Sequence, residues 1–178
     1  MKLRVSKRMS KKKEKIIITK DEASSHSLPP IGIIIDRKKS KLTYIKFSEP
    51  NSYISFFGMP GSTTTFKILG YMGSSEDPLL HDKLIEEYFN TPFKKMIIEG
   101  EKKQVSISGK LVQVNTYLIG DEFKTSWCSI LVPSEKNKSY GLLILIGKYI
   151  NSKNPPKYSE LTEESEIKPL INSLIILE

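Results

Sequence analysis

A run of consecutive apolar residues near the C-terminus, residues 142–146 within YGLLILIGKYI, constrains the fold more than any other segment. An antiparallel strand with one face in water alternates apolar and polar residues, whereas a strand that is apolar at every position is covered on both faces. We therefore expect a strand over 140–150 inside an antiparallel sheet that carries other layers on both of its sides.

Other segments alternate apolar and polar residues, or are rich in aromatic and β-branched residues, as strands require. The turn between two of them is expected at Gly109-Lys110. The predicted strands cover residues 31–36, 42–47, 52–58, 63–72, 102–108, 111–120 and 124–132. The second half of the chain is therefore predicted to be a meander of antiparallel strands.

A first helix is predicted over 78–90. Asp77 can cap its N-terminus, and Pro78 suits its first position because proline needs no hydrogen-bond partner there. The apolar residues of this segment recur at helical spacing and form one stripe, made of Leu80, Leu84, Ile85 and Tyr88. This helix is expected to cover one face of the sheet.

A second helix is predicted near the C-terminus, over 163–173, with Ser165 as its N-cap and Pro169 in its first turn. It provides the layer for the other face. The predicted fold class is therefore α+β, an antiparallel meander flanked by helices, that is, an α/β/α sandwich.

The net charge of +8 is concentrated at the N-terminus. Residues 1–20 contain nine lysines and arginines and one acid, Glu14, while the rest of the chain has nineteen residues of each sign. We interpret residues 1–30 as a disordered basic tail and linker, and residues 31–178 as a single α+β domain. Basic nucleic-acid-binding domains usually carry their excess charge on a folded face, which a neutral domain cannot do.

The sequence predicts no catalytic, cofactor-binding or metal-binding residue. The chain has one cysteine, Cys128, which we expect in the core, and two histidines, so neither a disulfide nor a histidine-rich zinc site is expected. His81 is expected to be exposed in the first turn of its helix. The loop GMPGSTTTF (58–66) lacks the lysine that a phosphate-binding loop needs and is expected to be a turn.

Lysines are the only candidate binding residues. These lysines could contact an anionic partner. The simpler interpretation is that those near residue 100 form a solvated, charge-mixed edge that discourages strand pairing, because Glu99 and Glu101 lie among them. The candidates are Lys11, Lys12, Lys13, Lys94, Lys95, Lys102 and Lys103.

The order of elements over residues 40–177 resembles that of the PsbP-like superfamily. FSEP (47–50) matches an F-x-x-P segment, Gly109 an early glycine of the meander, and PLINSLII (169–176) a closing helix. Leu174 stands where the family usually has an aromatic residue. The resemblance implies a non-enzymatic assembly or accessory factor, and it carries no catalytic residue over to this chain.

Three functions follow as alternatives. The first is a non-enzymatic accessory or protein-interaction domain, with another protein as partner and no cofactor. The second is a small-ligand-binding protein or enzyme whose site is assembled from loops. The third is a binder of nucleic acid or anionic membrane through the basic tail, which would depend steeply on salt.

The basic leader is followed by only a short apolar run, IIIT, and not by the roughly 7–15 apolar residues of a signal peptide. No run approaches the roughly 18 apolar residues of a transmembrane helix. We therefore expect a cytoplasmic location for the chain as written, and an exported one if its N-terminus is incomplete.

Overall fold

The computed structural model describes residues 15–58, 62–89 and 97–178, which form ten strands and four helices. In chain order these are β1 (Lys15–Ile18), α1 (Lys20–Ser25), β2 (Gly32–Asp36), β3 (Thr43–Lys46), β4 (Ser52–Phe57), β5 (Thr64–Met72), α2 (Leu80–Tyr88), β6 (Ile97–Ile107), β7 (Lys110–Ile119), β8 (Thr125–Pro133), β9 (Tyr140–Lys148), α3 (Tyr158–Thr162), α4 (Lys168–Ser173) and β10 (Ile175–Leu177).

Seven of the strands form a large antiparallel sheet with the order β3-β4-β5-β9-β8-β7-β6. It consists of two meanders, β3 to β5 and β6 to β9. They are joined where β5 pairs with β9 in a continuous register from Thr64–Lys148 to Met72–Tyr140. The predicted meander of the second half is therefore confirmed, and the first half contributes three further strands to the same sheet.

The apolar run in β9 is covered on both faces, as its sequence predicts. Leu142, Ile144 and Ile146 belong to the larger hydrophobic core, while Leu143 and Leu145 belong to a smaller core on the opposite face of the sheet. The smaller core is covered by α2. The larger core is covered by α3, α4 and a second, three-stranded sheet with the order β1-β2-β10.

The predicted sandwich is therefore confirmed only in part, because one covering layer is mostly a sheet. The single C-terminal helix expected over 163–173 is shortened to α4, which begins at Lys168 with Ile167, not Ser165, as its N-cap, and a separate short helix, α3, precedes the predicted range. Pro169 lies in the first turn of α4, as expected. Its ring would clash with the carbonyl of Ser165 if the helix extended further towards the N-terminus, which explains why α4 begins only at Lys168.

Residues 15–30 are not a linker, and this part of the predicted domain boundary is wrong. They form β1, which pairs with β2, and α1, whose N-cap Thr19 accepts a hydrogen bond from the Glu22 backbone N–H. The buried Tyr53 hydroxyl donates a 2.5 Å hydrogen bond to the Pro29 carbonyl. Four apolar residues of this stretch are buried in the larger core: Ile16, Ile18, Ala23 and Leu28. Residues 1–14 lie outside the described ranges.

Two predicted boundaries shift by a few residues. The turn between β6 and β7 is Ser108-Gly109, with φ angles of 54° and 78°, because Ile107 and Lys110 still pair. Two consecutive positive φ angles are typical of the tight type I′ turn. Helix α2 begins at Leu80, and Asp77 instead accepts a hydrogen bond from the Leu79 N–H just before the helix.

We predict that residues 31–178 alone are much less stable than residues 15–178. Removing β1 and α1 deletes Ile16, Ile18 and Leu28 from the core, and burial of each such side chain contributes about 1.5–3 kcal/mol. The free energy of unfolding should fall by about 4 kcal/mol or more. Urea unfolding followed by fluorescence of Trp127 measures it, and equal midpoints for the two chains would contradict the assignment of 15–30 to the fold.

Candidate functional site

A buried histidine lies against a serine beneath α2. His81 Nε2 is 2.7 Å from Ser129 Oγ, in the middle of β8, and both residues are buried. The prediction that His81 is exposed is wrong, because the first turn of α2 presents Leu80 and His81 to the sheet. Its Nδ1 has no hydrogen-bond partner among the described residues.

This pair does not have the arrangement of a catalytic serine and its base. Such a serine must be reachable by substrate, and its histidine is oriented by a third group on the other ring nitrogen. Ser129 is only 1% exposed, and no described group holds His81 Nδ1. Burial, together with the nearby charge of Lys102, lowers the pKa of His81 to about 4, so the ring is neutral at neutral pH.

Polar residues beside this pair line a cleft of 340 Å³ between α2 and the β6 edge. The Asn115 side chain donates to the Tyr117 hydroxyl at 3.0 Å, and that hydroxyl makes a long contact of 3.5 Å with Asp82 Oδ1. Burial raises the pKa of Tyr117 to about 12. Lys102 lies 3.0 Å from Glu99 and 3.8 Å from Asp82. Asp82, Glu99 and the Tyr117 hydroxyl, which line the cleft, thus all have polar partners close by.

The structure separates the two candidate lysines that it describes. Lys102 lies on the α2 side of β6, while Lys103 lies on the opposite side, 3.3 Å from Glu101 and over the ring of Tyr158 at 4.9 Å. Each is thus close to a carboxylate. A contact of these lysines with an anionic partner stays a prediction, and the other candidates lie outside the described ranges: Lys11, Lys12, Lys13, Lys94 and Lys95.

Cys128 is fully buried in β8, and burial raises the pKa of its thiol. This confirms that it is a core residue. Within the described ranges, no group of three or more His, Cys, Asp or Glu residues is placed to hold a metal ion. Nor do these ranges contain a helix with the length and apolar character needed to cross a lipid bilayer.

The outer face of the small sheet is exposed to solvent, yet its central side chains are apolar. Ile17, Ile34 and Ile175 lie directly opposite one another across β1, β2 and β10, and Leu177 lies beside them opposite Gly32. We call these four residues the isoleucine face: Ile17, Ile34, Ile175 and Leu177. Ile17 and Ile175 are 49% and 48% exposed. Contiguous exposed apolar residues of this kind mark interaction surfaces in soluble proteins.

Basic residues adjoin one end of the isoleucine face. Lys15 begins β1 opposite Asp36, and the segment that follows β2 carries four further basic residues. We call these five residues the basic end: Lys15, Arg37, Lys38, Lys39 and Lys41. In sequence, Lys15 directly follows residues 1–14, which contain seven more lysines and arginines. Of the basic residues within 1–15, Lys15 is the one that the structure describes, and it lies on the same exposed side of β1 as Ile17.

Both outer edges of the small sheet already have polar contacts. Lys46 Nζ donates to the Ile17 carbonyl on the edge of β1 at 2.7 Å and also pairs with Glu22. Near the edge of β10, Ser108 Oγ donates to the Leu174 carbonyl at 2.7 Å. These contacts oppose the addition of a further strand. The face, and not an edge, is therefore the available surface of this sheet.

We predict that His81 makes stability depend on pH. Its pKa is about 4 in the folded chain and about 6.5 when unfolded, so the unfolded state binds more protons between these values. The free energy of unfolding is therefore unaffected by the protonation of this residue above pH 6.5. It falls as the pH decreases towards 4, by up to about 3 kcal/mol.

Urea unfolding from pH 4 to pH 7 tests this prediction in wild type, His81→Gln and His26→Gln. The difference in stability between wild type and His81→Gln should shrink or change sign as the pH falls. His26 is exposed and serves as the control, so His26→Gln should follow the wild-type curve. Parallel curves for wild type and His81→Gln would contradict the prediction.

Comparison with solved structures finds a similarity in fold. No protein-family model matches the sequence, and no curated protein matches it. Among solved structures, the solution structure of cyanobacterial PsbP (CyanoP) from Synechocystis sp. PCC 6803 is similar over 90% of this chain and 91% of that chain, with 9% sequence identity and a TM-score of 0.47. The chain thus has the weak PsbP-like fold resemblance that its sequence indicates.

Proposed function

We propose that the chain is a non-enzymatic accessory domain that docks on an anionic lipid membrane through the isoleucine face. The observation that carries this proposal is the row of Ile17, Ile34 and Ile175 on the outer surface of the small sheet, bordered by the basic end. The non-enzymatic part of the proposal is supported by the burial of the His81–Ser129 pair and by the paired charges in the cleft beside it.

The chemistry of this surface favours lipid over a protein partner. The cores of protein interfaces are enriched in aromatic residues, methionine and arginine and depleted in lysine. Here the apolar residues are all aliphatic, and four of the five residues of the basic end are lysines. Interfacial membrane binding combines buried apolar area with attraction to anionic lipids, which is the combination found here.

The two contributions are of comparable importance. Ile17, Ile175 and Leu177 are each about half exposed, and burying the exposed half of three such side chains is worth roughly 3 kcal/mol. Each lysine or arginine near an anionic surface adds up to about 1 kcal/mol. Stable attachment usually needs two signals. We therefore expect reversible binding that requires both the face and the charge.

We predict that the full chain binds vesicles of phosphatidylcholine with phosphatidylglycerol, and that it does not bind phosphatidylcholine alone. The double variant Ile17→Thr, Ile175→Thr should bind at least about tenfold more weakly, a loss of about 1.4 kcal/mol. Threonine retains the β-branched shape that suits a strand. Co-sedimentation at two salt concentrations measures the affinity, and higher salt should weaken it.

A matched double variant distinguishes the face from general surface hydrophobicity. Met72 and Leu111 are 71% and 69% exposed and lie outside the isoleucine face, so Met72→Thr, Leu111→Thr should bind as wild type does. Thermal unfolding of each variant verifies that it is folded. Absence of binding to the anionic vesicles, or equal loss in both double variants, would overturn the proposal.

The tail-driven alternatives give different outcomes in the same assay. If removal of residues 1–14 abolishes vesicle binding while the isoleucine variant binds normally, charge alone drives binding and docking by the face is wrong. If the full chain binds duplex DNA more tightly than anionic vesicles at the same salt concentration, nucleic acid is the partner and the membrane proposal fails.

A further inference from the structure

A second surface feature lies on the α2 side of the large sheet, away from the isoleucine face. It is a cleft of 410 Å³ where β4 and β5 meet the end of β9, and we call it the hydroxyl cleft. Its volume falls within the range of about 300–1,000 Å³ that is usual for small-molecule sites. Six serines and threonines line it: Ser48, Ser55, Ser62, Thr63, Thr64 and Thr65.

The charge inside the hydroxyl cleft is compensated. Lys67 Nζ donates to Glu49 Oε1 at 2.6 Å and to the Tyr88 hydroxyl at 2.7 Å. Burial by itself lowers the pKa of Lys67, but the hydrogen bonds with Glu49 and Tyr88 outweigh it and raise the pKa. The lysine therefore stays charged and paired. An anionic ligand would have to compete with Glu49 for it, so the cleft offers no advantage to a charged molecule.

Two aromatic side chains border the same cleft. Phe57 and Tyr149 both line it, and these residues are 38% and 50% exposed. Both the backbone and the ring of Tyr149 have contacts that hold the residue in place. Its backbone N–H donates to the Thr63 carbonyl at 2.8 Å, and its ring packs edge-on against Trp127 at 5.4 Å. A rigid, half-exposed ring of this kind can accept the apolar face of a ligand at little entropic cost.

We propose that the hydroxyl cleft binds a small, uncharged, polyhydroxylated ligand of the sugar or polyol class. A hydroxyl group both donates and accepts hydrogen bonds, so a wall of serines and threonines matches a ligand that carries hydroxyl groups of its own. The Lys67–Glu49 pair supplies a strong donor beside a strong acceptor without net charge. Tyr149 and Phe57 supply apolar surfaces for the C–H side of the ligand.

Saturation-transfer NMR and calorimetric titration of the full chain test the proposal with named probes: D-glucose, maltose, sorbitol and myo-inositol. At least one probe should receive magnetisation from the protein and titrate to saturation. Tyr149→Ala should weaken its binding at least about tenfold. Phe123→Ala removes another exposed aromatic ring, outside the cleft, and should leave the affinity unchanged.

Glucose 6-phosphate and inorganic phosphate serve as charged counter-probes. Tighter binding of either than of glucose would assign the cleft to anions and overturn the uncharged class. The absence of saturation transfer to all four neutral probes, or equal affinity in wild type and a folded Tyr149→Ala variant, would overturn the site. These outcomes do not depend on vesicle binding, since the cleft and the isoleucine face lie on different sides of the large sheet.

Discussion

The pairing of β5 with β9 is the interaction on which the rest of the structure depends. It joins two meanders that are each a local arrangement of consecutive strands, and it places β9 near the middle of the large sheet. From there β9 contributes side chains to both cores. Gly147 in β9 shows how close the packing is: a Cβ there would lie 2.5 Å from the indole ring of Trp127. Without this pairing, neither α2 nor the small sheet would have a continuous surface to cover.

Local sequence patterns predict most of the large sheet, because alternation and β-branched residues act within single strands. The same patterns do not predict the small sheet, for a physical reason. β1 is only four residues long and follows a charged leader, and its pairing partners Ile33 and Ile35 are remote from it in sequence. One local signal was available: Lys15 and Ile17 alternate with the buried Ile16 and Ile18, and Thr19 caps the next helix. Pro169 also indicates that no continuous helix joins α3 to α4, because proline is not tolerated in the interior of a helix.

Of the candidate docking surface, the sequence predicts only the basic residues and not the exposed apolar face. The leader and the segment after β2 are visibly basic in the sequence, but the runs of isoleucine in β1, β2 and β10 give no indication of which side faces outward. Only the cross-strand register shows that Ile17, Ile34 and Ile175 share the exposed face. By contrast, the separation of Lys102 from Lys103 follows from the two-residue period of a strand, since adjacent residues point to opposite faces.

The order of the chain explains why charge and apolar surface occur together. β1 is the first described element and an edge strand of the small sheet, and its first residue, Lys15, lies on the same side of the strand as Ile17. A surface that is apolar at its centre and basic at one end can meet an anionic layer in one orientation only. In that orientation the hydroxyl cleft, on the far side of the large sheet, stays open to solvent, so the two proposed binding events do not compete for the same surface.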